Sequence, residues 1–230
     1  MYIYGKNVAI ETINNKEKIK KAFIYKNFTD NEILNELKKQ NIYIKYLEKN
    51  EMDKMIDGLH QGIILEVNDF EYNDIDEMIE DDSLIVILDH IEDPHNFGAI
   101  IRTCEAAGVK GIIIPKDRSV EVNATVIKVS TGAIKNMKIA QVTNLNRTIE
   151  YLKKEGFWIV GTDMEGTNYY DIDYKGKTAI VIGNEGSGMS RLVSENCDFI
   201  AKIPMKGTTN SLNASVATGI VVFEAVKQRG

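Results

Sequence analysis

Leu84-Ile85-Val86-Ile87-Leu88 contains no polar residue. A strand with one face in water alternates apolar and polar side chains. An unbroken run of this length therefore belongs to a strand covered on both faces, as in a parallel sheet flanked by helices. Apolar runs recur at residues 111–114, 138–142, 158–161, 179–182 and 199–203. Helical patterns separate them. Asp93 can cap and Pro94 can open a helix that Gly108 stops, and further helices are expected over 122–129, 144–155 and 211–227. Strands alternating with helices predict an α/β domain with a mostly parallel sheet over residues 83–230.

Residues 1–70 read as a smaller α/β unit. Helices are expected over 6–21, from Thr29 or Asp30 to 39, and weakly over 52–57, with strands at 22–25, 42–47 and 62–67. The formal charge of −6 argues against a uniformly basic nucleic-acid binder, yet residues 1–50 carry 10 Lys/Arg against 6 Asp/Glu. The acidity sits in residues 51–82, with 12 Asp/Glu against 1 Lys/Arg. Residues 71–82 read as an acidic, solvated linker with a short helix over 75–79, an electrostatic guard against wrong partners being the alternative. Cys104 and Cys197 form neither a disulfide framework nor a metal pattern and read as buried thiols in a reduced, cytoplasmic setting. No run has the length of a membrane span, and residues 1–6 lack the apolar core of a signal peptide.

Three polar loops follow apolar runs, where α/β folds build ligand sites. The first is Asp89-His90-Ile91-Glu92-Asp93-Pro94-His95-Asn96. The second is Gly183-Asn184-Glu185-Gly186-Ser187-Gly188, whose glycines allow close approach of a ligand, although an ordinary tight turn would also account for them. The third precedes the last helix and ends Asn210-Ser211-Leu212-Asn213-Ala214-Ser215, with more polar groups than a cap by Thr209 or Ser211 needs. No Gly-x-Gly-x-x-Gly or phosphate-binding Gly-Lys-Ser/Thr loop is present, and Ser187 lacks the spacing of a nucleophile elbow. His60, His90 and His95 show no metal spacing. Arg102 stands among small apolar residues, where burial demands a partner. That partner is either a salt bridge to Glu105 or Asp93, or a phosphate or hydroxyl of a ligand.

The blocks Asp93-Pro94-His95-Asn96-Phe97-Gly98-Ala99-Ile100-Ile101-Arg102-Thr103, Gly183 to Met189, and Ile203-Pro204-Met205 through Ser211-Leu212-Asn213-Ala214-Ser215-Val216-Ala217 resemble the three motifs of the SpoU (TrmH-like) RNA ribose 2′-O-methyltransferases, in order. His60-Gln61-Gly62, Pro115-Lys116-Asp117-Arg118-Ser119, Ala217-Thr218-Gly219 and Phe223-Glu224-Ala225-Val226 look like the RlmB-type branch, which methylates a guanosine ribose in 23S ribosomal RNA.

That resemblance implies a SPOUT domain with a deep C-terminal trefoil knot over residues 83–230, and a ribosomal-protein-like RNA-binding domain over 1–70. It implies S-adenosyl-L-methionine (AdoMet) as cofactor, held near Gly161, Thr162, Gly183, Ile203, Leu212 and Asn213, with no metal. It implies a cytoplasmic homodimer joined through the SPOUT domain, with no membrane association. The substrate would be 23S RNA or a ribosome assembly intermediate. Arg102 is the implied catalytic residue, with Asn96, Glu185, Ser211 and Asn213 positioning it, the ribose and the cofactor. An arginine acting as a general base would have to lose a proton that its pKa holds firmly. Arg102 is therefore read as an electrostatic and orienting group. The same chemistry on transfer RNA or another ribosomal site is one alternative, and a non-catalytic RNA-binding module is another.

Overall fold

The computed structural model describes residues 1–209 and 211–230, so Asn210 of the third polar loop lies outside the described residues. The chain divides into two units, Met1–Glu71 with Val122–Lys128, and Tyr72–Glu121 with Val129–Gly230.

The first unit holds a four-stranded sheet in the order β1 (Tyr2–Tyr4), β4 (Ile63–Val67), β2 (Ile19–Tyr25), β3 (Ile44–Leu47). β4 runs antiparallel to both its neighbours, and β3 runs parallel to β2. Alternation along the strands sends Ile3, Ala22, Ile24, Ile63 and Leu65 to one face. There α1 (Lys6–Asn14) and α2 (Asn31–Lys39) cover them with Val8, Ile13, Ile33 and Leu37. Asp30 caps α2 by accepting from the Ile33 amide. The short α3 (Lys49–Asp53) sets Met52 against Phe23, Leu47 and Ile64 on the opposite face. The helix expected over 6–21 stops at Asn14, and β2 begins at Ile19. The lysines at 18, 20 and 21 suit a helix as well as a strand, and pairing of residues 19–24 with β4 decides the matter.

The second unit is built on six parallel strands. Their order is β10 (Phe199–Lys202), β8 (Trp158–Asn168), β9 (Thr178–Gly183), β5 (Leu84–Asp89), β6 (Gly111–Pro115), β7 (Ile139–Val142). All six residues of β5 are buried, as its unbroken apolar character requires. From β5 the chain winds outward through β6 and β7, then crosses to β8 and returns to β9 beside β5. The direction of winding thus reverses between β5 and β9. α6 (Leu145–Lys154) covers one sheet face, with Leu145, Ile149 and Leu152 against Ile85, Ile113, Ile159 and Val181. α4 (Pro94–Ala106) and α8 (Ala214–Arg229) pack on each other. The short α7 (Arg191–Glu195) completes the helices of this unit, whereas most of α5 (Ala124–Ser130) belongs to the first unit, with Ala124 and Ile127 packed against that unit's core. Among the described residues, no helix is long and apolar enough to cross a membrane.

Three expectations shift. β8, expected over 158–161, runs to Asn168, and its pairing with β10 jumps from Gly161 to Thr167, so residues 162–166 bulge from the ladder. The last helix starts at Ala214 rather than Ser211, with Asn213 as its cap in place of Thr209 or Ser211. The segment read as an acidic linker is attached to the sheet edge. The Asn73 amide donates to the Ile139 carbonyl at 2.8 Å, and its side-chain oxygen accepts from the Ile139 amide at 3.1 Å. Met78, at the end of a 3₁₀ turn over Ile75–Met78, is fully buried with Ile85 and Phe157. Gly111 leaves room for it, since a Cβ there would lie 2.3 Å from the Met78 sulfur. Ile75 and Ile79 pack partly against the same cluster, and with Met78 they form an i, i+3, i+4 apolar set that the surrounding carboxylates mask. The acidic side chains are nonetheless on the outside, where Glu80 pairs with Lys110. Burial pushes the Cys104 thiol far up and the Cys197 thiol up to about 12, so neither is a thiolate at neutral pH.

Met78→Ala should lower the unfolding free energy by about 2–5 kcal/mol, as loss of a fully buried side chain does. A solvated linker residue would cost roughly 0.5 kcal/mol or less. Urea denaturation distinguishes the two.

Candidate active site

Ligands of open parallel sheets bind outside the C-terminal strand ends where the winding reverses. Here that point lies between β5 and β9, whose last residues, Asp89 and Gly183, are paired. The loops leaving these two strands are the first and second polar loops of the sequence. α8, whose cap ends the third loop, packs against α4.

One side chain joins all three. Asn96 lies in the first turn of α4, which Asp93 caps by accepting from the His95 amide at 2.9 Å. The Asn96 Nδ2 donates to Glu185 Oε1 at 2.6 Å. Its Oδ1 accepts from Asn213 Nδ2 at 2.8 Å. Asn213 Oδ1 in turn caps α8, accepting from the Ser215 amide at 2.9 Å and from the Ser215 hydroxyl at 2.5 Å. A primary amide is suited to this place because it donates and accepts at once. Asn96 is buried, whereas Glu185 and Asn213 are exposed. The relay therefore has a fixed centre and accessible ends.

A second set of contacts holds the glycine loop in place. Asp89 is 1% exposed. Its Oδ2 accepts from the Ser190 amide at 2.6 Å, at the start of α7, and its Oδ1 lies 2.5 Å from His90 Nδ1. His90 adopts a left-handed φ of 60°, and its carbonyl accepts from Asn184 Nδ2 at 2.8 Å. Asn184 Oδ1 accepts from the Gly186 amide at 2.9 Å, and Asn184 and Gly188 exchange backbone hydrogen bonds. The first loop thus grips the second at both ends, with Glu185 between the grips. Sequence reading passed over Asp89, His90 and Asn184 as members of this brace. The available signal was a carboxylate directly ending an otherwise apolar strand.

The other expected site residues lie as follows. Gly161 and Thr162 stand in neighbouring β8, and Thr162 Oγ1 donates to the Val181 carbonyl of β9 at 3.0 Å. At Gly183 a Cβ would lie 2.4 Å from the Gly188 carbonyl carbon and the Met189 nitrogen, so the folded-back loop itself demands glycine there. At Gly161 a Cβ would meet Met189 and Cys197 at 2.7–2.8 Å. Ile203 directly follows β10, and Ile203 and Leu212 are half-buried. Ser211 is exposed. Arg102 is exposed on α4, and among the described residues it has no hydrogen bond or ion pair. Neither proposed salt bridge forms: Glu105 accepts from Asn136, and Asp93 serves as the cap. The structure brings Asn96, Glu185 and Asn213 together by direct hydrogen bonds and leaves the Arg102 guanidinium unengaged. Among the described residues no group of three or more His, Cys, Asp or Glu side chains is placed to hold a metal ion. His60 braces a turn, accepting from the Gly62 amide through Nδ1 and meeting Asp53 through Nε2.

A doubly wound parallel sheet with polar loops converging at its switch point is the framework of a ligand-binding α/β enzyme. Residues 83–223 match the SpoU rRNA methylase family, and residues 2–73 match a family described as RNA 2′-O ribose methyltransferase substrate binding. The chain belongs to the SpoU rRNA methylase family. It is 42% identical to YacO of Bacillus subtilis, described as a TrmH family tRNA/rRNA methyltransferase, over 99% of this chain and 96% of that protein. The fold is similar to that of the SpoU methyltransferase AviRb of Streptomyces viridochromogenes, with a TM-score of 0.80, 22% identity, and coverage of 99% of this chain and 89% of that one. It is also similar to an AdoMet-bound rRNA methyltransferase of Sinorhizobium meliloti, with a TM-score of 0.77, 25% identity, and coverage of 98% and 86%.

Asp89→Ala strands the Ser190 amide and His90. It should cost about 0.5–1.5 kcal/mol of stability for each hydrogen bond lost, since Ser190 and His90 are partly open to water. Asp89→Asn, whose amide oxygen can still accept from Ser190, should cost less. Urea denaturation of the two variants checks the order.

Proposed function

We propose that the chain is an AdoMet-dependent RNA ribose 2′-O-methyltransferase that acts on a guanosine of 23S ribosomal RNA. The observation that carries this reading is the Glu185–Asn96–Asn213 relay, which ties three separate loops into one polar surface at the sheet's switch point. The Sinorhizobium meliloti structure, described as an AdoMet-bound rRNA methyltransferase, supports the cofactor and the substrate class. Transfer RNA is the second reading, favoured by the tRNA/rRNA description of YacO.

The residues present fit AdoMet. Gly161 and Thr162 stand where β8 ends its pairing with β9 and bulges away from β10, while Gly183 ends β9 and Ile203 follows β10, offering main-chain groups to a polar ligand. Half-buried Ile203 and Leu212 would supply apolar surface for its adenine. When bound, AdoMet supplies an electrophilic methyl group to the ribose 2′-oxygen. The protein's part is placement, because an oxygen held in line at about 3 Å gains much of the acceleration from orientation alone. Arg102, free of internal partners, would hold the phosphate beside the target ribose through its guanidinium. The 2′-hydroxyl proton passes to that phosphate or to water. Glu185 and Asn213, fixed through Asn96, would position the ribose, and Ser211 would complete the polar rim.

The trefoil knot implied by the resemblance belongs to this proposal, and so does the homodimer. The side of α8 carrying Val216, Ile220 and Phe223 supports the dimer, since Val216 and Phe223 are each 50% exposed. A second copy of that face would cover them. Ribosomal RNA as substrate implies a cytoplasmic enzyme.

Incubation with methyl-labelled AdoMet and unmodified 23S RNA, with transfer RNA in parallel, tests the substrate. One alkali-resistant linkage at a guanosine of 23S RNA is expected. Label confined to transfer RNA keeps the chemistry and overturns the target, while cofactor binding without label in either RNA removes the catalytic reading. Arg102→Ala should lower kcat by about 10²-fold or more, as loss of a transition-state donor does, and leave AdoMet affinity nearly unchanged by calorimetry. Equal loss of both would remove Arg102 from the chemistry.

A further inference from the structure

The sheet of the first unit has one face that its own helices leave partly open. α1 and α2 cover the Ile3, Ile24 and Leu65 side completely enough to bury those residues. On the opposite face α3 covers Leu47 and Ile64 through Met52 but does not extend across the sheet. The register places the remaining side chains. Tyr2 of β1 pairs with Glu66 of β4, Glu66 pairs with Lys21 of β2, and Phe23 pairs with Lys45 of β3. Tyr43, just before β3, lies beside Lys21.

The contacts among these groups have a particular chemistry. The Lys21 ammonium lies 5.5 Å from the Phe23 ring centre and 5.4 Å from that of Tyr43. The Tyr2 ring stands edge-on to Phe23, with centres 5.8 Å apart. Phe23 is the buried floor, whereas Tyr43 is 62% and Tyr2 39% exposed. Lys45 is exposed and Glu66 half-buried. Two aromatic side chains therefore reach solvent on a face where the Lys21 ammonium lies against Tyr43 and the register adds Lys45, with Glu66 paired to Lys21.

We propose that this face is a stacking surface for unpaired RNA bases, with Tyr2 and Tyr43 receiving bases and Lys21 and Lys45 receiving the neighbouring phosphates. Flat rings interleaved with cations suit single strands, whose bases offer both a π-face and a charged backbone. A duplex suits them poorly, because its base faces are already stacked on one another. The polymer's identity rests on the methyltransferase reading, whereas the location and the preference for single strands rest on the face itself.

The test is fluorescence anisotropy of the full chain with fluorescein-labelled oligoadenylate, alone and annealed to oligouridylate. The single strand should bind more tightly than the duplex. The paired Tyr2→Ala and Tyr43→Ala variant should weaken single-strand binding at least about tenfold, given the effect of each lost stack. The matching pair of Tyr→Phe changes keeps the rings and should retain affinity. Urea unfolding with wild-type midpoints and amplitudes shows that each variant is folded in both units. Unchanged affinity in the alanine variant, a preference for the duplex, or equal loss in the phenylalanine variant would each overturn the proposal. If the alanine variant methylates RNA with an unaltered KM, the stacking face is wrong and the enzymatic reading stands. If the wild type methylates no RNA, yet the alanine pair still weakens oligonucleotide binding, the stacking face stands and the enzymatic reading is wrong.

Discussion

The candidate site depends on the side-chain amide of Asn96. It is buried, and it can be satisfied only if a donor arrives on one side and an acceptor on the other. Asn213 and Glu185 are those groups, and they lie 117 and 89 residues away in the chain. Satisfying one buried amide therefore fixes the start of α8, the start of α4 and the glycine loop relative to one another. Misplacing any of the three would leave a polar group stranded at a cost comparable to a substantial part of a domain's net stability.

The backbone beneath that amide comes from the buried strand β5. Because β5 is apolar on both faces, it must sit inside the sheet, and β6 and β9 flank it. The two loops that matter leave the C-terminal ends of β5 and β9, where the chain's winding reverses. Asp89 is the one polar group in β5. It is buried at the strand's end, where the Ser190 amide and His90 satisfy it. The same residue that ends the hydrophobic run thus anchors the loop that carries Glu185. Exposed Arg102 contrasts with this ordered set. Among the described residues its guanidinium has no hydrogen bond or ion pair, which suits the phosphate-holding role proposed for it.

Much of this was legible before any coordinates. The parallel α/β character followed from β5 and from the alternation of runs, and the three polar loops were legible from their position after apolar runs or ahead of the last helix. Asn96 and Glu185 were marked chiefly by motif resemblance, whereas Asn213 also stood out as a polar residue within the expected last helix, beyond what a cap needs. The misread stretches share a cause. At residues 18–21 lysines suit either secondary structure, and only pairing with β4 decides. Across 71–82 the apolar set Ile75, Met78 and Ile79 is only one turn long and is outnumbered by carboxylates, so composition outweighs it. At the last helix, Ser211 and Thr209 are as good as caps as Asn213, and the choice falls to Asn213 because its amide also reaches Asn96.

The sequence by itself determined most strands and helices of the larger unit, that its sheet is covered on both faces, and which loops carry polar groups, because these follow from local preference and from where apolar side chains recur. Only the tertiary structure decided that Asp89 braces Ser190, that Asn96 bridges Glu185 and Asn213, and that Arg102 pairs with neither Glu105 nor Asp93. It also decided that Tyr2, Lys21 and Tyr43 share one open sheet face. Each of these is a contact between residues far apart in the chain, and such contacts depend on strand order and register, which no local pattern encodes.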